Sequence, residues 1–163
     1  MIDKFCELLR ANACVVHGPV APDGARDLVI ERARALGPAA ALNADVPIDR
    51  LADRLTLTDP RNADVGITGS HIAVAEPAAI ALAASPGSPR ATSLVPPAHI
   101  VVVPVDRLVP TLADAFARVV VDPLPSALTW IGGPSRTGDL EMILTLGVHG
   151  PRVVEVVLLA ADG

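Results

Sequence analysis

Residues 132–141 read Gly-Gly-Pro-Ser-Arg-Thr-Gly-Asp-Leu-Glu and directly follow the apolar run 127–131. A strand, a glycine-rich turn with Ser135, Arg136 and Thr137, then a helix-like pattern is an order that builds an anion site. The first N–H groups of a helix lack internal partners, and its dipole places about half a positive charge there. Arg136 adds a planar guanidinium that matches phosphate or carboxylate, and Ser135 suits the N-cap. The expected helix sets Leu140, Ile143 and Leu144 on one face and stops at Gly147. An ordinary capped helix with a solvated arginine fits the same residues. The loop is not a Walker loop, because no Gly-Lys-Ser/Thr closes it, and it is not G-x-G-x-x-G.

Glu76 lies between the apolar runs 72–75 and 79–84. Buried there, a carboxylate needs a partner, and Arg90 or Arg136 would serve. Exposed at a hairpin turn it needs none, and Pro77 directly after it agrees with a turn. Among the histidines, His99 precedes a buried strand within Pro96-Pro97-Ala98-His99, and His71 lies beside the segment 66–70. His149 reads as fixing the turn 147–151, and His17 as incidental. Four scattered histidines without paired acidic ligands make a poor metal site, and the G-x-S-x-G elbow is absent.

The elements that must position these residues alternate. Helices are expected at 3–13, from Pro22 through Leu28, Ile30 and Leu36 to Gly37-Pro38, at 48–54 and at 112–119. Strands are expected at 14–17, 39–42, 55–57, 99–103, 127–131 and 153–159. The runs 72–75 and 79–84 form an antiparallel hairpin. Residues 64–69 read as a turn or short helix and 85–92 as a Pro/Gly loop. Continuous apolar strands separated by helices predict an α/β fold: a mostly parallel sheet flanked by helices on both faces. One domain over residues 1–163 accounts for the length.

Hydrophobic residues make up 51%, yet the aromatics are only Phe5, Phe116 and Trp130, so Ala, Val, Leu and Ile must fill the core. A net charge of −5, no basic stripe and few aromatics argue against nucleic-acid binding. The apolar stretch 72–84 is too short and interrupted to span a bilayer, and the start of the chain lacks a signal-peptide core. A cytoplasmic protein without membrane attachment is expected. Cys6 and Cys14 match no zinc or iron–sulfur spacing. On a helix they would stand more than about 10 Å apart, beyond disulfide reach, so buried free thiols are expected.

Three ordered segments carry a family resemblance. Gly-Pro-Ser-Arg-Thr-Gly-Asp-Leu-Glu (133–141) with Leu-Gly-Val-His-Gly-Pro (146–151) resembles the closing motif of the LUD domain of lactate utilisation protein C. Gly66-Ile67-Thr68 with Ala73-Val74-Ala75-Glu76 resembles that family's Gly-Ile-Thr segment and acidic residue. Ser85-Pro-Gly-Ser-Pro-Arg90 and Ser93-Leu-Val-Pro-Pro-Ala-His99 resemble its central loop and Pro-Pro-x-His lead-in to a strand. Residues 1–60 carry no such motif, which suggests a shortened N-terminal region.

The resemblance implies the fold of ribose-phosphate isomerases, glucosamine-phosphate isomerases and coenzyme A transferases, with ligands over the C-terminal strand ends. There the segments 66–70, 76–79 and 132–137 should meet, with Arg90 over them. Gly66, Thr68, Arg90, His99, Gly133, Ser135, Arg136 and Thr137 become the expected anion-binding residues. Glu76 becomes a catalytic carboxylate, as base or nucleophile. Where the family has Thr/Ser-Gly-Thr after the acid, this chain has Pro77-Ala78-Ala79, with fewer donors and a stiffer loop.

The resemblance further implies a non-redox component of an L-lactate-oxidising system. Iron–sulfur clusters would belong to partner subunits, with no cofactor in this chain. Its contribution would be a small anionic metabolite site or a docking surface. The face of the first helix with Phe5, Leu8 and Leu9 is the expected docking patch, for a homodimer or a hetero-complex. Two alternatives stay open: a free-standing isomerase or acyl/CoA-type transferase using Glu76, and a scaffold that binds no ligand.

Overall fold

Both faces of the apolar runs are buried, and that condition stacks the chain into layers. The structure, a computed structural model, describes residues 1–121, 125–138, 144–146 and 150–161. In chain order it runs α1 (Ile2–Ala11), β1 (Val15–Val20), α2 (Pro22–Leu36), β2 (Ala39–Leu42), β3 (Thr56–Leu57), β4 (Val65–Gly69), β5 (Ile72–Glu76) and β6 (Ala79–Ala83). It continues with α3 (Ala91–Leu94), β7 (Ala98–Pro104), β8 (Leu108–Thr111), α4 (Leu112–Val121), β9 (Leu128–Ile131), β10 (Arg136–Gly138), β11 (Leu144–Leu146) and β12 (Val153–Leu159).

Six strands form a parallel sheet in the order β1-β12-β7-β4-β2-β3. Its strands alternate with period two. Ala98, Ile100 and Val102 of β7 pack with Val29, Ile30 and Ala33 of α2. Val101 and Val103 face the other way, with Val154, Val156 and Leu158 of β12. The chain is thus α/β with a mostly parallel sheet, as its patterning predicts. The second face, however, is covered chiefly by another sheet rather than by helices alone.

That second sheet has the order β8-β5-β6-β9 and contains the expected antiparallel hairpin, β5 against β6. Ala73, Ala75, Ile80 and Leu82 turn towards the parallel sheet, whereas Ile72, Val74 and Ala81 turn outward to Ala115 and Val119 of α4. The layers are therefore α2, parallel sheet, mixed sheet and α4. α1 packs with the two sheets: its Phe5 and Leu9 are fully buried and Leu8 is partly buried. The face expected to dock a partner is core.

Three local expectations are corrected. Residues 65–69 form a central buried strand, β4, not a turn or short helix. Glycine at 66 is required by a close approach: a Cβ there would lie 1.8 Å from the Thr92 carbonyl oxygen of α3. Second, Arg136–Gly138 is a strand, antiparallel to Leu144–Leu146, where a helix was expected. β-Branched Thr137 and Gly138 are weak helix formers, and Leu144 and Leu146 alternate as a strand requires. Third, the helix expected at 48–54 is reduced to a single 3-10 turn at Ala52–Arg54. Residues 108–111, for which no element was expected, form β8, an edge strand that tolerates Pro110. Cys6 and Cys14 are buried and not disulfide-linked, and burial raises the Cys6 pKa.

Candidate functional site

β4 and β7 are neighbours in register Gly66 to His99 and Thr68 to Val101. That register brings Thr68 and His99 together on the face turned towards the mixed sheet. Both are 1% exposed, and Thr68 Oγ1 and His99 Nε2 are hydrogen-bonded at 2.9 Å. Burial lowers the His99 pKa to about 4, so the imidazole is neutral near pH 7. A neutral imidazole has one N–H and one lone pair. Nε2 is engaged by Thr68, while Nδ1 has no hydrogen-bond partner among the described residues.

His99 lines a cleft of about 200 Å³ with Ser93, Trp130, Gly132, Gly133, Ser135 and Gly150. Ser135 is held there by its backbone N–H, which donates to the Pro151 carbonyl at 3.0 Å. It is not a helix N-cap, because strand β10 follows it directly, so no helix dipole supports an anion at this turn. Gly150 closes against it: a Cβ there would come within 3.1 Å of Ser135 Cβ.

Beside the cleft is a small polar cavity of about 10 Å³, lined among others by Asn43, Thr68, Ser88, Arg90, Ser93 and Thr129. Ser93 borders both spaces, and the Thr68–His99 bond joins them. The close approach at Gly66 holds α3, and with it Ser93, over β4. Arg90 is exposed at the start of α3 and has no side-chain ion pair or hydrogen bond among the described residues. Among those residues no carboxylate lines either space, so Arg90 supplies the local charge.

The expected site residues therefore divide. Thr68, Arg90, His99, Gly133 and Ser135 line one or other of these two spaces. Gly66 acts through packing. The backbones of Arg136 and Thr137 are in β10, and their side chains, like all of His149, lie outside the described residues. Glu76 is exposed at the end of β5, before a cis peptide to Pro77, and lines none of the clefts named here. It has no ion pair among the described residues. The turn after it approaches the Gly132 loop, where the Ala78 carbonyl would lie 3.5 Å from a Gly132 Cβ. Segment 66–70 does not join that meeting as a loop, because it is mostly strand. A larger cleft of about 410 Å³ does lie over C-terminal strand ends, between Pro22 and Asp23 of α2 and Pro104 and Leu159. It is lined by none of the expected residues.

Sequence reasoning missed Asn43 and Ser93, which look like ordinary loop residues until the sheet brings them together. It also missed Glu155, which interrupts the apolar run of β12 and is 1% exposed. Arg32 grips it with Nε at 2.9 Å and a terminal nitrogen at 2.8 Å, and His17 Nε2 lies 2.8 Å away. A lone acid in a buried strand run was the available signal.

A family model described as LUD domain matches residues 29–159. A lactate utilization protein C from an Exiguobacterium strain is 43% identical over 102 residues, covering 60% of this chain and 44% of that protein. One from Bacillus velezensis is 38% identical over 102 residues, covering 60% and 42%. The chain thus spans less than half the length of these relatives. A crystal structure of a DUF162 family protein from Deinococcus radiodurans superposes with a TM-score of 0.73 at 24% identity, covering 97% of this chain and 95% of that one. That likeness concerns the fold.

Proposed function

The chain belongs to the LUD-domain family, and on that premise we propose that it is a non-redox component of an L-lactate-utilising system whose own task is to bind a small organic anion between its two sheets. The observation that carries the reading is His99: a neutral, buried imidazole with one nitrogen fixed by Thr68 and the other without a partner among the described residues, in a cleft that meets at Ser93 the small cavity lined by Arg90. A carboxylate offers acceptors to Arg90 and to a ring N–H at Nδ1, and Ser135 adds a hydroxyl donor, whereas the Ser93 hydroxyl already donates to the Arg90 carbonyl at 3.0 Å. The names of the relatives supply the metabolic setting. Two cysteines cannot hold a four-thiolate cluster, and the resemblance to the lactate utilisation family assigns iron–sulfur clusters and the electrons of lactate oxidation to partner subunits. The isomerase or transferase reading, with Glu76 as catalytic carboxylate, gains no support from that residue's exposed position.

The test is thermal unfolding with a panel of lactate, pyruvate, phosphate and sulfate at millimolar concentration. A ligand at about a hundred times its Kd contributes about 2.7 kcal/mol, which raises Tm by roughly 5–10 °C in a domain of this size. Arg90→Ala and His99→Gln should each diminish that shift. No shift with any acid or anion removes the binding role. Reduction of an electron acceptor by the purified chain with L-lactate removes the non-redox assignment.

A further inference from the structure

α4 carries more apolar surface than its sheet covers. Between Leu112 and Val121 the only charged residues are Asp114 and Arg118. At about 3.6 residues per turn, Ala115 and Val119 form the row that packs on the mixed sheet, where both are buried. Leu112 and Phe116 form the next row around the helix, and Ala113 and Ala117 the one after it. All four are exposed, Leu112 at 38% and Phe116 at 51%. Of the three aromatic side chains, Phe5 is fully buried, whereas Phe116 stands at the surface against partly buried Trp130, ring centroids 5.7 Å apart. A helix that is apolar beyond the face it buries is ordinarily covered on that side too. Aromatic side chains beside such a stripe are the residues that anchor interfaces.

The charges say what covers it. Asp114 and Arg118, both exposed, form the row that borders Ala113 and Ala117. Asp114 is held in place by Thr111, whose N–H and hydroxyl donate to it at 3.1 and 2.6 Å. Arg118 has no ion pair among the described residues. Independently of the anion reading, we propose that this face of α4 is a homodimer interface, on which a second copy packs its own α4 antiparallel across a two-fold axis at Phe116. In such a pair like flanks face each other, and positions equally far from the axis on either side meet. Asp114 and Arg118 lie two positions before and after Phe116, so Asp114 of each copy faces Arg118 of the other. A parallel pair brings unlike flanks together and leaves both charges without that match. The small side chains of Ala113 and Ala117 let the two helices approach closely, and the two Phe116 rings meet at the axis.

Sedimentation velocity of the full chain over a concentration series tests this, with the fluorescence of Trp130, the single tryptophan, as a second readout. A helix pair of this length makes a small interface, so a dimer with a Kd on the order of 10 μM is expected. Raising salt from about 0.05 to about 0.5 M should weaken it severalfold. Phe116→Asp and Ala117→Arg, both at exposed positions, should each leave a monomer up to about fifty times that Kd. Arg118→Glu sets acid against acid and should raise Kd about tenfold, with salt now strengthening the dimer instead of weakening it. A wild-type chain that stays monomeric at about 0.5 mM would overturn the proposal. So would a dimer that survives Phe116→Asp or Ala117→Arg, since its interface then lies elsewhere. A salt response left unchanged by Arg118→Glu would overturn the antiparallel pairing.

Discussion

Two histidines of the parallel sheet, His17 in β1 and His99 in β7, sit in opposite kinds of polar setting. His17 belongs to a closed network in which buried Glu155 is held by Arg32 through two hydrogen bonds. Burial raises the Glu155 pKa, but the hydrogen bonds from Arg32 and His17 outweigh it and leave the carboxyl below its ordinary value. Among the described residues His99 has one hydrogen-bond partner, Thr68, and burial lowers its pKa. The first group of residues is charged and satisfied, which is how a fold keeps an ion in its interior. The second is neutral and half satisfied beside a cleft, which is how a fold keeps a group available for something else. A buried polar cluster is read by counting what its atoms still lack.

The sharpest way to break this contrast is to remove a partner from the closed network. Arg32→Leu leaves the Glu155 carboxylate buried without its fork of donors and should cost about 3–5 kcal/mol in urea unfolding. Replacing both, Arg32→Leu with Glu155→Leu, should recover most of that loss, since no charge then remains inside. A single-variant loss below about 1 kcal/mol would place the pair among ordinary surface bridges.

The acid limb of stability separates the two regions by pH. The folded-state pKa of His99 lies near 4 against an ordinary value of 6.5, so between those values the unfolded chain takes a proton that the folded chain refuses. Stability should fall as pH drops from about 6.5 to about 4, by roughly 3 kcal/mol in total, and level off below. The Glu155 contribution has its window lower. It is present above the ordinary glutamate pKa of 4.5 and lost as pH falls through the depressed folded value. His99→Gln should flatten the limb between 4 and 6.5 and spare the lower one. An unchanged profile would mean that His99 titrates as an exposed residue does.

A smaller effect tests the half-satisfied side directly. Thr68→Val removes the hydroxyl that holds Nε2 and should cost about 1–2 kcal/mol, while weakening organic-acid binding as the imidazole loses its orientation. Loss of stability without any change in binding would make the pair structural, like its counterpart on the other face. The smallest effect belongs to Glu76. Exposed at a strand end, Glu76→Gln should alter stability by no more than about 0.5 kcal/mol and leave acid binding as it was. A large loss of either would restore that carboxylate to the site.

The residues 98–104 and 153–159 declare themselves as doubly buried parallel strands because every position except His99 and Glu155 is apolar, whichever face it meets. The hairpin around Glu76-Pro77 and the helix from Pro22 to Gly37 are equally legible, since alternation, proline and glycine act locally. The family motifs pointed to Thr68, Arg90, His99 and Ser135, and these do border adjoining spaces. Residues 64–69 were misread because two of their glycines answer to distant neighbours, one to Thr92 and one to Asp45. The helix expected after Ser135 failed in the same manner: periodicity over ten residues is compatible with a hairpin, and pairing with another strand decides between them.

Local chemistry in the chain settled the strands at 99–103 and 153–159, the hairpin at 72–84 and the sharp turns, because propensity, proline geometry and apolar patterning act within a few residues. Which polar groups meet was settled only by the register of β4 against β7 and by the layering of one sheet on another. That register joined Thr68 to His99, while the end of β2 left Asn43 inside with an oxygen that has no partner among the described residues. The same tertiary packing placed Glu155 under Arg32 and left Glu76 in water. Burial is a property of the assembled layers, and a carboxylate's role depends on burial more than on its neighbours in sequence.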